Sequence, residues 1–315
     1  MLSSEDFQRI RKFMYRNARP LDLFRWQYHF EHGTQESVIR ALSAYQNADG
    51  GFGNALEADA WNPNSSPIQT GTAVNILLET GFSTKNHPLP LGILQYLDSG
   101  ADMQNDRWAN VVPTNDDYPH APWWHSGSQS TSHSEYNPTA FLAGFALLFA
   151  PKNSLLYKKC LCIAKELTET FLNAPELAMH PLLCLEALLR FIRLANIQEA
   201  FEFEALEVEL NRQAGRLILK DQNNWNGYAC RPSEFIHSPL HPMYVEYRDL
   251  VEKELDWLMD TRNDQGVWNI TWGWDGYDKA FAVSENWWKA DIVLRNLRFL
   301  KAFGRVEAAD EGLCL

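Results

Sequence analysis

Apolar residues recur at helical spacing along almost the whole chain, and no stretch shows a sustained apolar–polar alternation of period two. That pattern confines the fold to the all-α class. Ser3 and Ser4 ahead of Glu5 and Asp6 open a helix over 3–17. A weaker pattern covers 20–31. Val38, Ala41, Leu42 and Tyr45 share one face of a helix over 35–46. Ser66-Pro67 is a capping residue followed by proline at the first helical position, and Gly81 closes that helix. Residues 89–98 form a short apolar helix. Asn137-Pro138 repeats the cap-then-proline start ahead of TAFLAGFALLFA. Helices over 154–172, 178–194 and 198–219 follow with short joints. One over 242–260 carries Val251, Leu255 and Leu258 on one face, and Ser284 opens the last, which ends near Gly304. No Pro/Gly/Ser-rich linker or shift in composition divides 1–315, so a single domain is expected, with the Ser-rich piece 127–134 as a mobile loop.

Charge and thiols narrow the class of partner. Forty acidic residues against 28 basic ones give a net charge of −12. An acidic chain without a basic run grips neither nucleic acid nor an anionic membrane surface by charge. No apolar run approaches the ~20 residues of a membrane span. The five cysteines include no CxxC pair, so neither a zinc ribbon nor a disulfide framework is indicated. Free thiols and a charged, amphipathic N-terminal stretch unlike an export signal lead to an expected cytoplasmic location.

Four polar turns recur, each ending in an aromatic residue. They are Gln46–Phe52 (QNADGGF), Gln104–Trp108 (QNDRW), Gln222–Tyr228 (QNNWNGY) and Asn263–Trp268 (NDQGVW). Asn, Asp and Gly tolerate the left-handed backbone of a helix-ending turn, and the aromatic can fold back over the helix end. Gln can bond free carbonyls or the neighbouring repeat. A helical hairpin cannot bury its own apolar face, so such units stack.

The segment 42–53, a helix end followed by Gln-Asn-x-Asp-Gly-Gly-Phe-Gly, resembles the QW-type repeat of the terpene cyclase and protein prenyltransferase superfamily, with a partial match at 262–268. The pattern is closest to small bacterial prenyltransferase- or squalene-cyclase-like proteins. The resemblance implies an α/α toroid: up to six helical hairpins, about twelve helices in an inner and an outer layer. Eleven helices are legible. A short twelfth between 229 and 243 is predicted, because it brings the connection at 261–283 to the same end of the ring as those at 46–66, 99–136 and 220–241.

Three connections carry chemistry-bearing residues. The 99–136 connection is too long for an idle loop in a compact domain. It holds Asp116, Asp117, Tyr118, His120, Trp123 and Trp124 among three prolines. Adjacent carboxylates raise one another's pKa and can supply an acid. Class II terpene cyclases carry Asp-x-Asp-Asp with a proton-donating middle Asp; Thr114-Asn115-Asp116-Asp117 is similar with Thr in the first place, which implies Asp116 as the donor. In the second connection Glu57 and Asp59 alternate ahead of a helix N-terminus, beside Trp61. In the third, Trp272, Trp274, Asp275 and Tyr277 surround Gly273 and Gly276, and stacked aromatics there suit a carbocation or a sugar ring. Arg231 is the loop arginine of interest. The same residues also suit helix capping and aromatic packing over helix ends.

No metal or other cofactor is expected. His29 and His32, three apart, could share a helical face, Pro239 argues against a helix joining His237 and His241, Cys230 with Asp221 shows no zinc-site spacing, and no phosphate loop, nucleophile elbow or basic diphosphate grip is present. Three functions stay open: a terpenoid-cyclase-like protein binding an isoprenoid, with a loop Asp as general acid; a carbohydrate-active toroid with a carboxylate pair and sugars stacked on Trp; and a non-catalytic scaffold. The expected partner is a small molecule, isoprenoid or sugar. The sequence leaves the oligomeric state open.

Overall fold

The computed structural model describes residues 1–127, 135–173 and 176–307. The structure is helical, with eleven α-helices among the described residues: α1 (Ser4–Asn17), α2 (Pro20–Phe30), α3 (Gln35–Ser43), α4 (Pro67–Glu79), α5 (Pro88–Asp98), α6 (Thr139–Phe149), α7 (Leu155–Asn173), α8 (Met179–Leu194), α9 (Phe203–Asp221), α10 (Tyr244–Asp260) and α11 (Asp278–Ala302). None is long and apolar enough to cross a membrane. The Ser-rich piece, apart from Gly127, and the tail cysteine Cys314 lie outside the described residues.

Local chemistry sets the helix ends. Ser3 Oγ accepts from Asp6 N (3.1 Å) to start α1, and Ser66 Oγ accepts from Gln69 N (3.2 Å) to start α4, with Pro67 at its first position. Gly81 (φ +67°) ends α4: its N–H bonds Leu78 O and the Phe82 N–H bonds Leu77 O.

The structure differs from the sequence reading in five places. Asn137-Pro138 is not a cap-and-first-turn pair; its peptide bond is cis, and α6 begins one residue later. The 99–136 connection is not structureless. It contains a two-stranded hairpin, β1 (Met103–Gln104) and β2 (Arg107–Trp108), around Asn105-Asp106, both at φ near +50° as a tight primed turn requires, then two 3₁₀ turns at Pro113–Asp117 and Pro122–Trp124. Residues 198–219 divide into a 3₁₀ turn and α9. The twelfth helix is not formed: 229–243 holds one 3₁₀ turn, Pro232–Glu234, in a stretch that Pro232, Pro239 and Pro242 keep from propagating a helix. Finally, α11 starts at Asp278, so Ser284 is a buried residue within it rather than its cap.

The described chain forms two compact units. Of the described residues, one comprises Met1–Ala41, Ile218–Gly273 and 278–307; the other comprises those within Leu42–Leu217 together with Trp274–Tyr277. In the second unit α6 is apolar on nearly every face and packs against α4, α5, α7 and α8, which buries it as that composition demands. Gly144 lets α6 approach α8: a methyl there would stand 2.6 Å from the Phe191 ring. In the first unit α11 packs against α1 and α2. The buried Asp22 carboxylate there accepts from Arg19 Nε (2.7 Å) and Arg25 Nη1 (3.0 Å), and Arg25 also reaches Asp291 (2.9 Å). Three of these four side chains are nearly solvent-free, so removing one partner strands a buried charge.

Two of the four recurring turns share one hydrogen-bond pattern. In the first, Asn47 N bonds Gly51 O (2.8 Å) and Gly50 N bonds Asn47 O (3.0 Å); in the second, Asn263 N bonds Val267 O (2.8 Å) and Gly266 N bonds Asn263 O (2.8 Å). Gly50 and Gly266 both take positive φ, +91° and +80°, and the following aromatics, Phe52 and Trp268, are buried. The turn at 222–228 keeps only the Gly227 N to Asn224 O bond, and 104–108 is the β-hairpin. Gln46 completes the first turn, donating to Gly50 O (2.9 Å) and to Leu89 O of α5 (3.0 Å).

A Cβ at Gly50 would lie 2.0 Å from the Gly92 backbone O, whereas one at Gly92 meets the side-chain Nε2 of Gln46 at 2.5 Å, which can yield by giving up its two hydrogen bonds. Gly50→Ala is therefore expected to destabilise by about 3 kcal/mol or more, combining backbone strain with overpacking. Gly92→Ala should cost clearly less. Thermal denaturation of the two variants checks the order.

Candidate functional site

Within the second unit, the connection after the first turn doubles back and is fastened to the 113–126 segment by one amide. Asn62 Nδ2 donates to Thr114 Oγ1 (2.8 Å) and Asn115 Oδ1 (2.9 Å), and its Oδ1 accepts from Asn64 N (2.9 Å) and Nδ2 (3.0 Å). Asn62 is 1% exposed, so every bonding position of a buried amide is used. Its carbonyl accepts from Gln69 Nε2 (3.0 Å), whose Oε1 accepts from Leu56 N (2.9 Å). Asn115 Nδ2 donates onward to Trp124 O (3.0 Å).

Backbone bonds then align the two segments. Ala60 and His120 form an antiparallel bridge, Trp61 N donates to Pro119 O (2.9 Å) and Ala121 N donates to Asp59 O (2.8 Å). The 274–277 piece joins them: Trp274 Nε1 donates to Asp59 Oδ1 (2.8 Å), and the Tyr277 ring lies 5.8 Å from His120. Glu57, Asp59, Trp61, Asp116, Tyr118, His120, Trp123, Trp124, Trp274 and Tyr277 are thus carried by three segments that meet.

The carboxylates differ from the sequence expectation. Glu57 and Asp59 do not flank the start of α4 as an extended pair. The segment turns, Glu57 Oε1 accepts from Asp59 N (3.4 Å), Asp59 is buried against Trp274, and Ser66 caps the helix instead. Asp116 is not raised by its neighbour Asp117, which points to solvent as an exposed residue. The Ser126 hydroxyl (2.5 Å) and backbone N–H (2.9 Å) donate to Asp116, and with His125 beside it they hold its carboxyl below the usual range. Asp116 is accordingly a standing carboxylate, suited to accepting hydrogen bonds or holding a cation.

The histidines complete the cluster. His125 Nδ1 lies 3.0 Å from Asp116 Oδ1, and its ring stacks on His120 at 5.5 Å between centroids. His120 Nδ1 lies 2.6 Å from Tyr118 O; as the donor there it leaves Nε2 with a free lone pair. Trp124 Nε1 is shielded from water without a hydrogen-bond partner among the described residues. Asp275 is exposed beside Tyr277. Two open concavities of the same unit, about 690 Å³ beside Arg193 and Phe203 and about 280 Å³ beside Leu147 and Lys152, include none of these residues.

Trp272 and Arg231 belong to the other unit. Trp272 packs edge-on against Trp288 at 5.3 Å. Arg231 lies over Trp257 (5.4 Å) with Nε 3.4 Å from Glu254, an acid missed by the sequence reading. Glu254 is fully buried and accepts from Ser233 N (2.8 Å) and Oγ (2.5 Å). The signal was present: it lies three residues after Val251 and four before Leu258, on the apolar face of α10. His125 and Asn62 were likewise inside the segments singled out, but only their distant partners give them a role.

No family model, curated protein or solved structure matches the chain.

Burial raises the Glu254 carboxyl from 4.5 to about 7, against the opposing pull of Arg231 and Ser233. The folded state then binds more protons than the unfolded chain between those values, so stability falls as pH rises from about 4.5 to 7, by roughly 3 kcal/mol. Glu254→Gln is expected to remove most of that fall, as read from denaturation midpoints at pH 5 and pH 8.

Proposed function

We propose that this chain is a small-molecule-binding protein that seats a hydroxylated ligand, a sugar or a close relative, where segments 57–61, 114–125 and 274–277 meet. The observation that supports the reading is the gathering of those segments by the Ala60–His120 bridge and the Trp274–Asp59 bond. Trp61, Trp123, Trp124 and Tyr277 accompany the Asp116 carboxylate and the imidazoles of His120 and His125 there. Aromatic faces take the apolar side of a sugar ring, and carboxylates and imidazoles take its hydroxyls. The unpaired Trp124 Nε1–H is a donor in want of an oxygen acceptor.

The helical hairpins form, in this proposal, the α/α toroid of a terpenoid-cyclase- or prenyltransferase-like protein of the cytoplasm. The turn recurring at 47–52 and 263–268 supports that resemblance. The ligand is argued separately. Starting a terpenoid cyclisation by the class II route requires a protonated acid beside an alkene, and Asp116 is held as a carboxylate. That preference favours the carbohydrate ligand over the isoprenoid.

The test is a titration of intrinsic tryptophan fluorescence with a panel of oligosaccharides and, separately, with farnesyl diphosphate and squalene. The expected outcome is a saturable change with an oligosaccharide that Trp123→Ala and Trp124→Ala weaken about 10-fold, in keeping with loss of ~1–1.5 kcal/mol of aromatic contact. Saturation by an isoprenoid alone would overturn the ligand assignment.

A further inference from the structure

Asp116, His120 and His125 bring one carboxylate oxygen and two ring nitrogens within 4.8 Å of one another. Their chemistry is that of a metal site with positions left open: two imidazoles and a carboxylate are the ligands zinc takes when water or substrate completes its shell. The supporting contacts are those that orient metal ligands. The Tyr118 carbonyl lies 2.6 Å from His120 Nδ1, which presents Nε2 as the lone-pair nitrogen, and Ser126 holds the carboxylate through two hydrogen bonds. Pro113, Pro119 and Pro122 stiffen the segment, and the bridge to Ala60 anchors His120.

We propose that Asp116, His120 and His125 bind a divalent first-row transition metal ion of the zinc type. The inference rests on the location of the ligand seat proposed above and gives that seat an ion whose open positions take hydroxyl oxygens. With both imidazoles neutral the three ligands carry a single negative charge, which a dication exceeds by one. The rings of His120 and His125 are parallel, at 5°. Their lone pairs therefore lie in separate planes, and closure on one ion requires a turn of a ring. His125 makes it, because its side chain is 55% exposed whereas His120 is buried. Asp116 and His120 form the fixed half of the site, and His125 closes it.

The experiment is a titration of the full chain, stripped with chelator, with Zn²⁺ by calorimetry and with Co²⁺ by visible absorption, in the absence of any sugar. One equivalent of either ion is expected to bind, and Zn²⁺ should raise the melting temperature. His125→Ala, a change at an exposed side chain, should weaken binding by about 10-fold or more, and Asp116→Asn should do the same. His237→Asn, in the other unit, should leave binding unchanged. Lack of saturable uptake, or uptake that His125→Ala and Asp116→Asn both leave intact, would overturn the site. Because the titration contains no sugar, its failure is distinct from a failure of the carbohydrate reading, which the fluorescence titration reports by itself.

Discussion

The side-chain amide of Asn62 is the interaction on which the candidate site depends. It is 1% exposed and makes four hydrogen bonds, two of them to Thr114 and Asn115 across about fifty residues of chain. A buried amide left half-paired costs ~1–3 kcal/mol per lost partner, so the fully paired arrangement is strongly preferred over any that lets the segments slide. The side-chain link between segments 54–66 and 113–126 runs through that amide. It sets the register that bridges Ala60 to His120, and the bridge brings the Asp59 backbone against Ala121 while Asp116 meets Ser126 and His125.

Buried polar crosslinks serve the two units differently. In the first, charge is set against charge, as in Asp22 with Arg19 and Arg25, or Glu254 with Arg231. Such pairs define geometry at a desolvation cost that burial of the carboxyl makes visible at Glu254. In the second, neutral amides (Asn62, Gln69, Asn115) hold the loops, the buried Asp59 is met by the Trp274 indole N–H, and Asp116 and His125 lie at the part-exposed rim. That leaves the rim groups able to meet a ligand without first breaking a buried ion pair.

The helices were legible in the sequence because what starts and stops them is local. Ser3, Ser66, Pro67 and Gly81 act within one turn of themselves, and all perform as their chemistry suggests. The turn at 263–268 was legible from Asn263 and Gly266, although the same spacing at Asn224 and Gly227 forms only part of the pattern. Where residues depend on distant partners, the reading failed. Ser284 looks like a cap but is an interior residue of α11, and Asn137-Pro138 looks like a helix start but precedes one. At the site, residue types were readable and roles were not. Asp116 beside Asp117 suggested a proton donor, while Ser126, ten residues on, makes it a carboxylate. His125 closes the cluster through a ring contact that spacing does not announce.

Whether one amide organises both loop segments is read by hydrogen exchange on Asn62→Ala. Amide exchange followed by mass spectrometry reads each segment separately. Faster exchange is expected in both 54–66 and 113–126, including the Trp61 and Ala121 amides, with α6 and α8 as protected as in the parent protein. Acceleration confined to the residues flanking position 62, with 113–126 unchanged, would contradict it.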